Sequence, residues 1–318
     1  MKIIFFGTPE FAASQLEAIL AAGYDVTAVV TPPDKPAGRG KKVQSCEVKK
    51  TALTHQLPIL QPVKLKDPEF LQTLEAFHAD LFIVVAFRML PEVVWKMPRL
   101  GTFNLHASLL PQYRGAAPIN HAIINGESET GLTTFLLNEE IDKGAILMRQ
   151  AVRIRPDETA GELHDELMTL GNHLVVETIR KIENNDIQPL PQEQLLDECQ
   201  LKPAPKIFKD FCYIDWTQDS QSIYNHIRGL SPYPAAHTRL ISEQNEMLEL
   251  KIFSSSIEKD NPSILPGTVI TDGKTHLKIA TADGFISLTT IQQAGKKAMN
   301  IEEFLRGTRL LGEWKAEK

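Results

Sequence analysis

The sequence predicts an α/β protein in which a doubly wound sheet domain is followed by a smaller β-barrel domain. Three observations lead there. Apolar runs without alternation, such as Lys2–Phe6 and Asp80–Ala86, are interleaved with amphipathic helix-length segments through the first two-thirds of the chain. Such runs belong to strands covered on both faces. Pro189, Pro191, Pro203 and Pro205 then punctuate a stretch with little periodicity, which is a linker signature. Beyond it the pattern turns to short strands separated by tight-turn signals. A chain of 318 residues is also long enough to build two cores.

Taken in order, Lys2–Phe6 reads as a buried strand ending at Gly7. Phe11–Ala22 follows as a helix with Phe11, Leu16, Ile19 and Leu20 on one face. Tyr24–Val30 is a second strand after the Gly23 stop, Phe70–Phe77 is helical, and Asp80–Ala86 is a strand bounded by Pro91. Thr102–Leu105 is a short strand, followed by a Pro/Gly-punctuated loop and a helix near Ala117–Ile124. Thr133–Leu137 and Ala145–Ile154 read as strands and Gly161–Asn184 as a long helix. This Rossmann-like domain is expected to occupy residues 1–188, with its ligand cleft at the carboxyl ends of the strands. A linker is expected over 189–206 and the second domain over 207–318. There Ser220–Leu230 reads as a helix, and Leu248–Phe253, Gly267–Ile270, Leu277–Ala280 and Phe285–Ile291 read as strands. Thr271-Asp272-Gly273 and Ala282-Asp283-Gly284 mark tight turns. About five short strands and one helix suggest an OB-like barrel.

Composition excludes several classes. No stretch approaches the roughly 20 apolar residues that span a membrane. The opening Met-Lys-Ile-Ile-Phe-Phe stops at Gly7, too soon for a secretory leader and without a small-residue cleavage site. Cys46, Cys199 and Cys212 are odd in number and far apart, so neither a disulfide framework nor a metal pair is expected. A reducing, cytoplasmic setting fits them. The histidines show no metal-ligand spacing, and no metal is expected. Gly7-Thr8-Pro9 lacks the glycine spacing of a dinucleotide site. A net charge of −6 argues against generic nucleic-acid binding, DNA included, and leaves only local basic patches for such contacts.

The strongest chemical signal is Asn104-Leu105-His106-Ala107-Ser108-Leu109-Leu110-Pro111, running on to Arg114-Gly115. Asn104 and His106 are two apart at a strand end, so both point to one face. Asp142 follows in the Ile141-Asp142-Lys143-Gly144 turn after another strand. An amide donor, an imidazole and a carboxylate at strand ends suit transfer of an acyl-level carbon. Asn donates to a developing oxyanion, His moves a proton near neutrality, and Asp orients the His or holds a relay water. Separately, Lys35, Arg39, Lys41, Lys42, Lys49 and Lys50 outnumber Asp34 and Glu47 over residues 34–50, with Gly38 and Gly40 flanking Arg39. A glycine-flanked arginine on a long loop can meet phosphate bidentately. Lys202, Lys206 and Lys209 cluster at the linker, and Lys296 and Lys297 lie near the chain end.

These segments carry a resemblance. Phe6-Gly7-Thr8-Pro9-Glu10-Phe11, the Pro33–Lys42 loop, Asn104–Gly115, Asp142-Lys143-Gly144, Pro266-Gly267 and Gln293–Met299 are similar to formyltetrahydrofolate-dependent transformylases over nearly the whole chain. The Pro-Ala-Gly-Arg-Gly-Lys-Lys loop and the Ala-Gly-Lys-Lys-Ala-Met segment resemble the branch acting on initiator methionyl-tRNA. The resemblance implies catalytic roles for Asn104, His106 and Asp142, with 10-formyltetrahydrofolate as formyl donor. It implies folate contacts by Phe87, Arg88, Met89 and Leu90 and by Ser108, Leu109, Leu110 and Pro111. It further implies tRNA contacts by Lys35, Arg39, Lys41, Lys42, Lys206, Lys209, Lys296 and Lys297, in a protein expected to act as a monomer. Val84–Pro91 departs from the family's usual Val-Val-Ala-Tyr-Gly-x-Ile-Leu-Pro in being one residue shorter and lacking the glycine. Three other readings stay open on the residues alone: formylation of a small amine such as an amino-sugar nucleotide, non-catalytic nucleic-acid binding, and hydrolysis releasing formate, which would leave the basic loop without a purpose.

Overall fold

The computed structural model describes residues 1–37, 42–195, 201–259 and 264–317. Its contacts divide the chain into two compact units. The first comprises residues 1–115, 130–152 and 164–203, and the second comprises 116–129, 153–163 and 204–318.

The chain opens with β1 (Lys2–Gly7), α1 (Glu10–Ala21), β2 (Asp25–Val30), the hairpin strands β3 (Lys35–Ala37) and β4 (Lys42–Gln44), and α2 (Glu47–Thr54). It continues through β5 (Ile59–Leu60), α3 (Pro68–Ala76), β6 (Leu81–Val85), α4 (Glu92–Trp95), β7 (Thr102–His106) and α5 (Pro118–Ile124). β8 (Glu129–Leu136), β9 (Ile146–Arg153) and α6 (Ala160–Glu183) follow. The sheet of the first unit runs β5-β2-β1-β6-β7-β8-β9. Its first five strands are mutually parallel. β8 departs from the parallel pattern, pairing antiparallel with β7 in the register His106↔Thr133 and Phe103↔Leu136.

Burial explains why the early strands read without alternation. All five residues of β6 are buried, because helices cover both faces of the sheet. Ile4, Phe6, Ala28, Val30, Phe82 and Val84 pack on one side against Phe70 and Leu74 of α3. Each fully buried aliphatic or aromatic side chain contributes about 1.5–3 kcal/mol of transfer free energy, so this layered core holds the unit together. α3 starts where its sequence says it should: the Asp67 carboxylate accepts the Glu69 and Phe70 amides, and Pro68 fills the first helical position.

One expectation is corrected here. Residues 34–50 read as a single basic loop, yet they form the β3–β4 hairpin and the start of α2, with residues 38–41 outside the described residues. α2 is legible only through Val48 and Ala52, the two side chains it buries one turn apart. Lys49 is committed within this fold, donating to Asp34 Oδ2 at 2.6 Å and to Gln61 Oε1 at 2.7 Å. The Lys49 hydrogen bond holds the Asp34 carboxyl below the usual carboxylate range. Lys50 pairs with Glu47 at 2.6 Å. Neither lysine is part of an open basic loop.

In the second unit, α7 (Ser220–Leu230) precedes β10 (Ala236–Ser242), β11 (Met247–Glu258), β12 (Val269–Thr271), β13 (Leu277–Ala280) and β14 (Phe285–Gln293). β15 (Met299–Asn300), α8 (Ile301–Gly307) and β16 (Trp314–Glu317) complete it. The antiparallel sheet runs β12-β13-β14-β11-β10-β16, with β15 added to β14. Its two ends meet: Thr268 bridges Lys315, and the Ala316 amide donates to Gly267 O at 2.7 Å. The result is a nearly closed barrel around Trp216, Ile223, Ile227, Leu250, Ile252, Ile286 and Phe304. Gly267 is required at this closure. Its φ is +86°, and a Cβ there would lie 2.8 Å from Ala316 O.

Among the described residues this unit has more strands than the roughly five the sequence suggested, and a further helix, α8. β10 hid because buried His237 and Thr238 interrupt its apolar pattern, Thr238 accepting the Trp216 indole N–H at 2.9 Å. α8 carries a capping box between Asn300 and Glu303.

A tertiary cap secures α7. Asp219 accepts the Ser222 amide as N-cap, while Asp283, from the β13–β14 turn, accepts the Ser220 amide at 2.7 Å and its hydroxyl at 2.8 Å. The Ser220 amide, then its hydroxyl, hold the Asp283 carboxyl below the usual range. Because the folded-state value is depressed, the contribution is present above pH about 4. It is lost as the pH falls through the lower folded-state value. Asp283→Ala is expected to cost about 1 kcal/mol. Urea unfolding at pH 7 and at pH 3 checks this, and the difference between variant and wild type should shrink at the lower pH.

Candidate active site

β7 delivers two of the three residues singled out in the sequence to the carboxyl end of the parallel sheet. Asn104 is half-buried and His106 is 6% exposed, while Phe103 and Leu105 between and before them point into the core. His106 Nε2 lies 2.9 Å from Tyr113 O. A carbonyl oxygen only accepts, so Nε2 carries the proton and Nδ1 of the neutral ring is left with its lone pair. Nδ1 faces Asp142 Oδ2 at 3.8 Å, beyond direct hydrogen-bond reach but close enough for a water or a substrate N–H to bridge. The edge of the Phe135 ring, 6.4 Å away between centroids, fixes the imidazole plane from the side.

Asp142 is held just as firmly. Its φ is +53°, an uncommon conformation that Asp tolerates better than most residues. Its Oδ2 accepts the Gly115 amide at 3.0 Å. Its carbonyl and that of Gly144 each accept a 2.8 Å hydrogen bond from Gln192 Nε2. Gln192 is fully buried, and its Oε1 accepts Arg114 Nε at 3.1 Å and Nη2 at 2.6 Å. One amide thus satisfies two turn carbonyls and one guanidinium. Sequence reasoning missed Gln192, which sits in the proline-punctuated stretch read as linker. Its only local signal is Pro191, which precedes a short 3₁₀ turn, Gln192–Leu195. On the other side, Thr133 Oγ1 donates to Ser108 O at 2.7 Å and accepts the Leu110 amide at 3.1 Å, fastening the 108–110 loop to β8.

The remaining candidates separate. Ser108 and Leu110 are fully buried and Pro111 is buried, so their side chains support the loop and present no surface; Leu109 is half-buried. Leu90 is buried with Phe87 packed beside it, Phe87 meeting the Phe6 ring edge-on at 5.8 Å. Met89 is 68% exposed. Arg88 is exposed and turns back to the preceding loop, donating to Val63 O at 2.9 Å and to Pro62 O. Lys35 is exposed on β3. Arg39 and Lys41 lie outside the described residues, and Lys42 is described only as a backbone position in β4. In the second unit Lys206, Lys209, Lys296 and Lys297 are all exposed. A cavity of about 430 Å³ in that unit, lined by Arg155, Asp157, Tyr224, Arg228 and others, includes none of the residues named above. Among the described residues no group of three His, Cys, Asp or Glu could hold a metal ion, and no helix is long and apolar enough to cross a membrane.

Residues 1–179 match the formyl transferase family and residues 206–309 match the formyl transferase C-terminal domain. The chain is 51% identical to a methionyl-tRNA formyltransferase of Bacteroides fragilis over 315 residues, covering 99% of this chain and 97% of the relative. It is 52% identical to that of Bacteroides thetaiotaomicron, covering 99% and 98%. Among solved structures it is similar to a sugar 3N-formyl transferase determined with dTDP and 5-N-formyl-THF. That match has TM-score 0.65 at 22% identity, covering 93% of this chain and 99% of that one. It is also similar to HypX from Aquifex aeolicus in complex with tetrahydrofolic acid, with TM-score 0.60 at 19% identity, covering 96% and 47%. With both domain matches and half-identity over nearly its full length, the chain belongs to the methionyl-tRNA formyltransferase family.

Proposed function

We infer that this enzyme transfers the formyl group of 10-formyltetrahydrofolate to the α-amino group of methionine on initiator tRNA. The product is N-formylmethionyl-tRNA for translation initiation. The observation that carries the reading is the His106–Asp142 pair beside Asn104, in a chain half-identical to methionyl-tRNA formyltransferases along its length. Membership of the family supports a folate-derived donor, and the 10-formyl form is our reading of it.

The geometry supplies a division of labour. The methionyl amine forms a bond to the formyl carbon, the bond from that carbon to the folate nitrogen breaks, and one proton passes from the amine to that nitrogen. A free α-amine has a pKa of about 7.7–8.0, so a useful fraction is already neutral and no strong base is required. Asn104 donates to the formyl oxygen as negative charge develops there. With Nε2–H committed to Tyr113 O, His106 donates to that oxygen only through Nδ1, which requires the imidazolium form. Asp142, facing Nδ1 at 3.8 Å, is the acceptor through which the amine proton leaves. We assign tRNA contacts to Lys35, Arg39, Lys41 and Lys42, and separately to Lys206, Lys209, Lys296 and Lys297. We place the reaction in the cytoplasm with the chain acting as a monomer.

The test is formyl transfer by purified protein from 10-formyltetrahydrofolate to charged initiator tRNA, run beside an amino-sugar nucleotide and beside RNase-treated tRNA. Transfer that requires intact tRNA is expected. Transfer to the sugar amine alone would overturn the substrate assignment while leaving the formyl chemistry standing.

A further inference from the structure

An aromatic turn at the start of the second unit is built in a way that the formyl-transfer site does not use. Phe208 is 66% exposed and Phe211 is 41% exposed. Isolated exposed apolar side chains are ordinary and need no explanation. Here the two rings sit on one tightly held turn. Ile207 packs against the barrel core and Cys212 is buried in it. The Phe211 amide donates to Phe208 O at 3.1 Å, and the Cys212 thiol donates to the same carbonyl at 3.5 Å. Phe211 lies between two imidazoles, 5.5 Å from the His121 ring and 5.4 Å from the His226 ring between centroids. These two tilted ring contacts hold the second ring while leaving part of it in solvent.

The cations are placed on the rings and not merely near them. Lys206 Nζ lies 5.5 Å from the Phe208 centroid, and Lys209 Nζ lies 5.9 Å from that of Tyr213. Arg239 also lies over the Tyr213 ring, 4.6 Å from its centroid. Lys209 shares Glu249 at 3.8 Å, whereas Lys206 sits directly over the more exposed of the two phenylalanines. A purely apolar partner covering Phe208 would have to bury the Lys206 charge, which is costly. A nucleotide satisfies both groups together, with its base on the ring face that Lys206 does not cover and its phosphate on the ammonium.

We propose that Phe208, with Lys206 over its ring, is a stacking platform for an unpaired nucleotide of the RNA substrate, and that Phe211 is the fixed second ring of the same surface. The proposal rests on the tRNA reading above and names a contact within it that basic charge alone does not provide. A stacked base accounts for a sequence-tolerant share of affinity, and the lysine accounts for a salt-dependent share.

The experiment is equilibrium binding of full-length protein to labelled initiator tRNA across a range of salt, with formyl transfer measured on the same preparations. Phe208→Ala is expected to weaken binding about tenfold with the salt slope unchanged. Phe208→Trp should bind as wild type does, because it keeps a stacking face. Lys206→Gln should weaken binding and lower the salt slope by about one. If wild type binds and formylates tRNA but Phe208→Ala binds equally well, the platform is refuted and the function stands. If Phe208→Ala and Phe208→Trp are equally weak, the ring is needed for the turn's packing and the stacking role is refuted. If wild type does not bind tRNA, the functional reading fails and the platform fails with it.

Discussion

His106→Ala is expected to lower formyl-transfer turnover by about a hundredfold to ten-thousandfold, the range over which a positioned proton-transfer or donor group acts. The imidazole donates to the Tyr113 carbonyl at 2.9 Å and faces Asp142 at 3.8 Å, so its removal takes away the group set between them. Affinity for tRNA should change little, because none of the lysines and arginines assigned to the tRNA is lost. The same change leaves Tyr113 O without that donor, which costs about 1–3 kcal/mol, so the variant should melt earlier yet remain folded. Single-turnover rates at saturating tRNA, measured beside circular dichroism melting, separate the two effects. Turnover at the wild-type level in a folded His106→Ala protein would remove His106 from the chemistry.

Gly144→Ala carries the largest expected structural penalty. A Cβ at this position would lie 1.6 Å from Leu136 O and 2.8 Å from Leu136 C, both backbone atoms of β8 that cannot rotate aside. The turn must therefore move, and it is the turn that presents Asp142 and offers two carbonyls to Gln192. The expected cost is about 3 kcal/mol, at the upper end of overpacking effects. Turnover should fall as well, because displacement of a reacting group by even a fraction of its contact distance is enough to slow the step. Lys143→Ala, beside it on the turn, is the control, and should change stability by no more than about 0.5 kcal/mol. Urea midpoints and turnover for the two variants decide the matter: equal stability in Gly144→Ala would mean that the turn is not held as described.

What was legible in the sequence follows physical lines. β6 and β1 were readable because burial on both faces leaves an uninterrupted apolar run, and Ser220–Leu230 was readable to its end residues because its caps and its buried face agree. β10 was not, because His237 and Thr238 are buried polar residues within it, and Thr238 finds its partners, Trp216 and Glu317, far away in sequence. The site divides in the same way. Asn104 and His106 could be paired by strand periodicity, and Asp142 by its turn. Gln192 could not be found, since nothing local distinguishes a glutamine that fills a buried hydrogen-bonding niche from one in solvent; its partners lie at positions 114, 142 and 144. Lys49 errs in the opposite sense. Its charge counted toward a basic loop, and only the fold reveals Asp34 and Gln61 as its partners.

The two compact units interlace along the chain, which passes from one to the other at 115/116, 129/130, 152/153, 163/164 and 203/204. Within the second unit, α5 is locked to α7 by Asn120 Nδ2 donating to Gly229 O at 2.7 Å, and the 153–163 segment is tied to it by Arg228 donating to Glu158 O at 3.0 Å. A gene splice at the proline-rich stretch would consequently separate the second unit from two of its own segments. Exchanging only residues 204–318 with a relative would leave α7 of the transplanted part to meet residues 116–129 and 153–163 of the host chain, so the Asn120 and Glu158 contacts must be matched for it to seat.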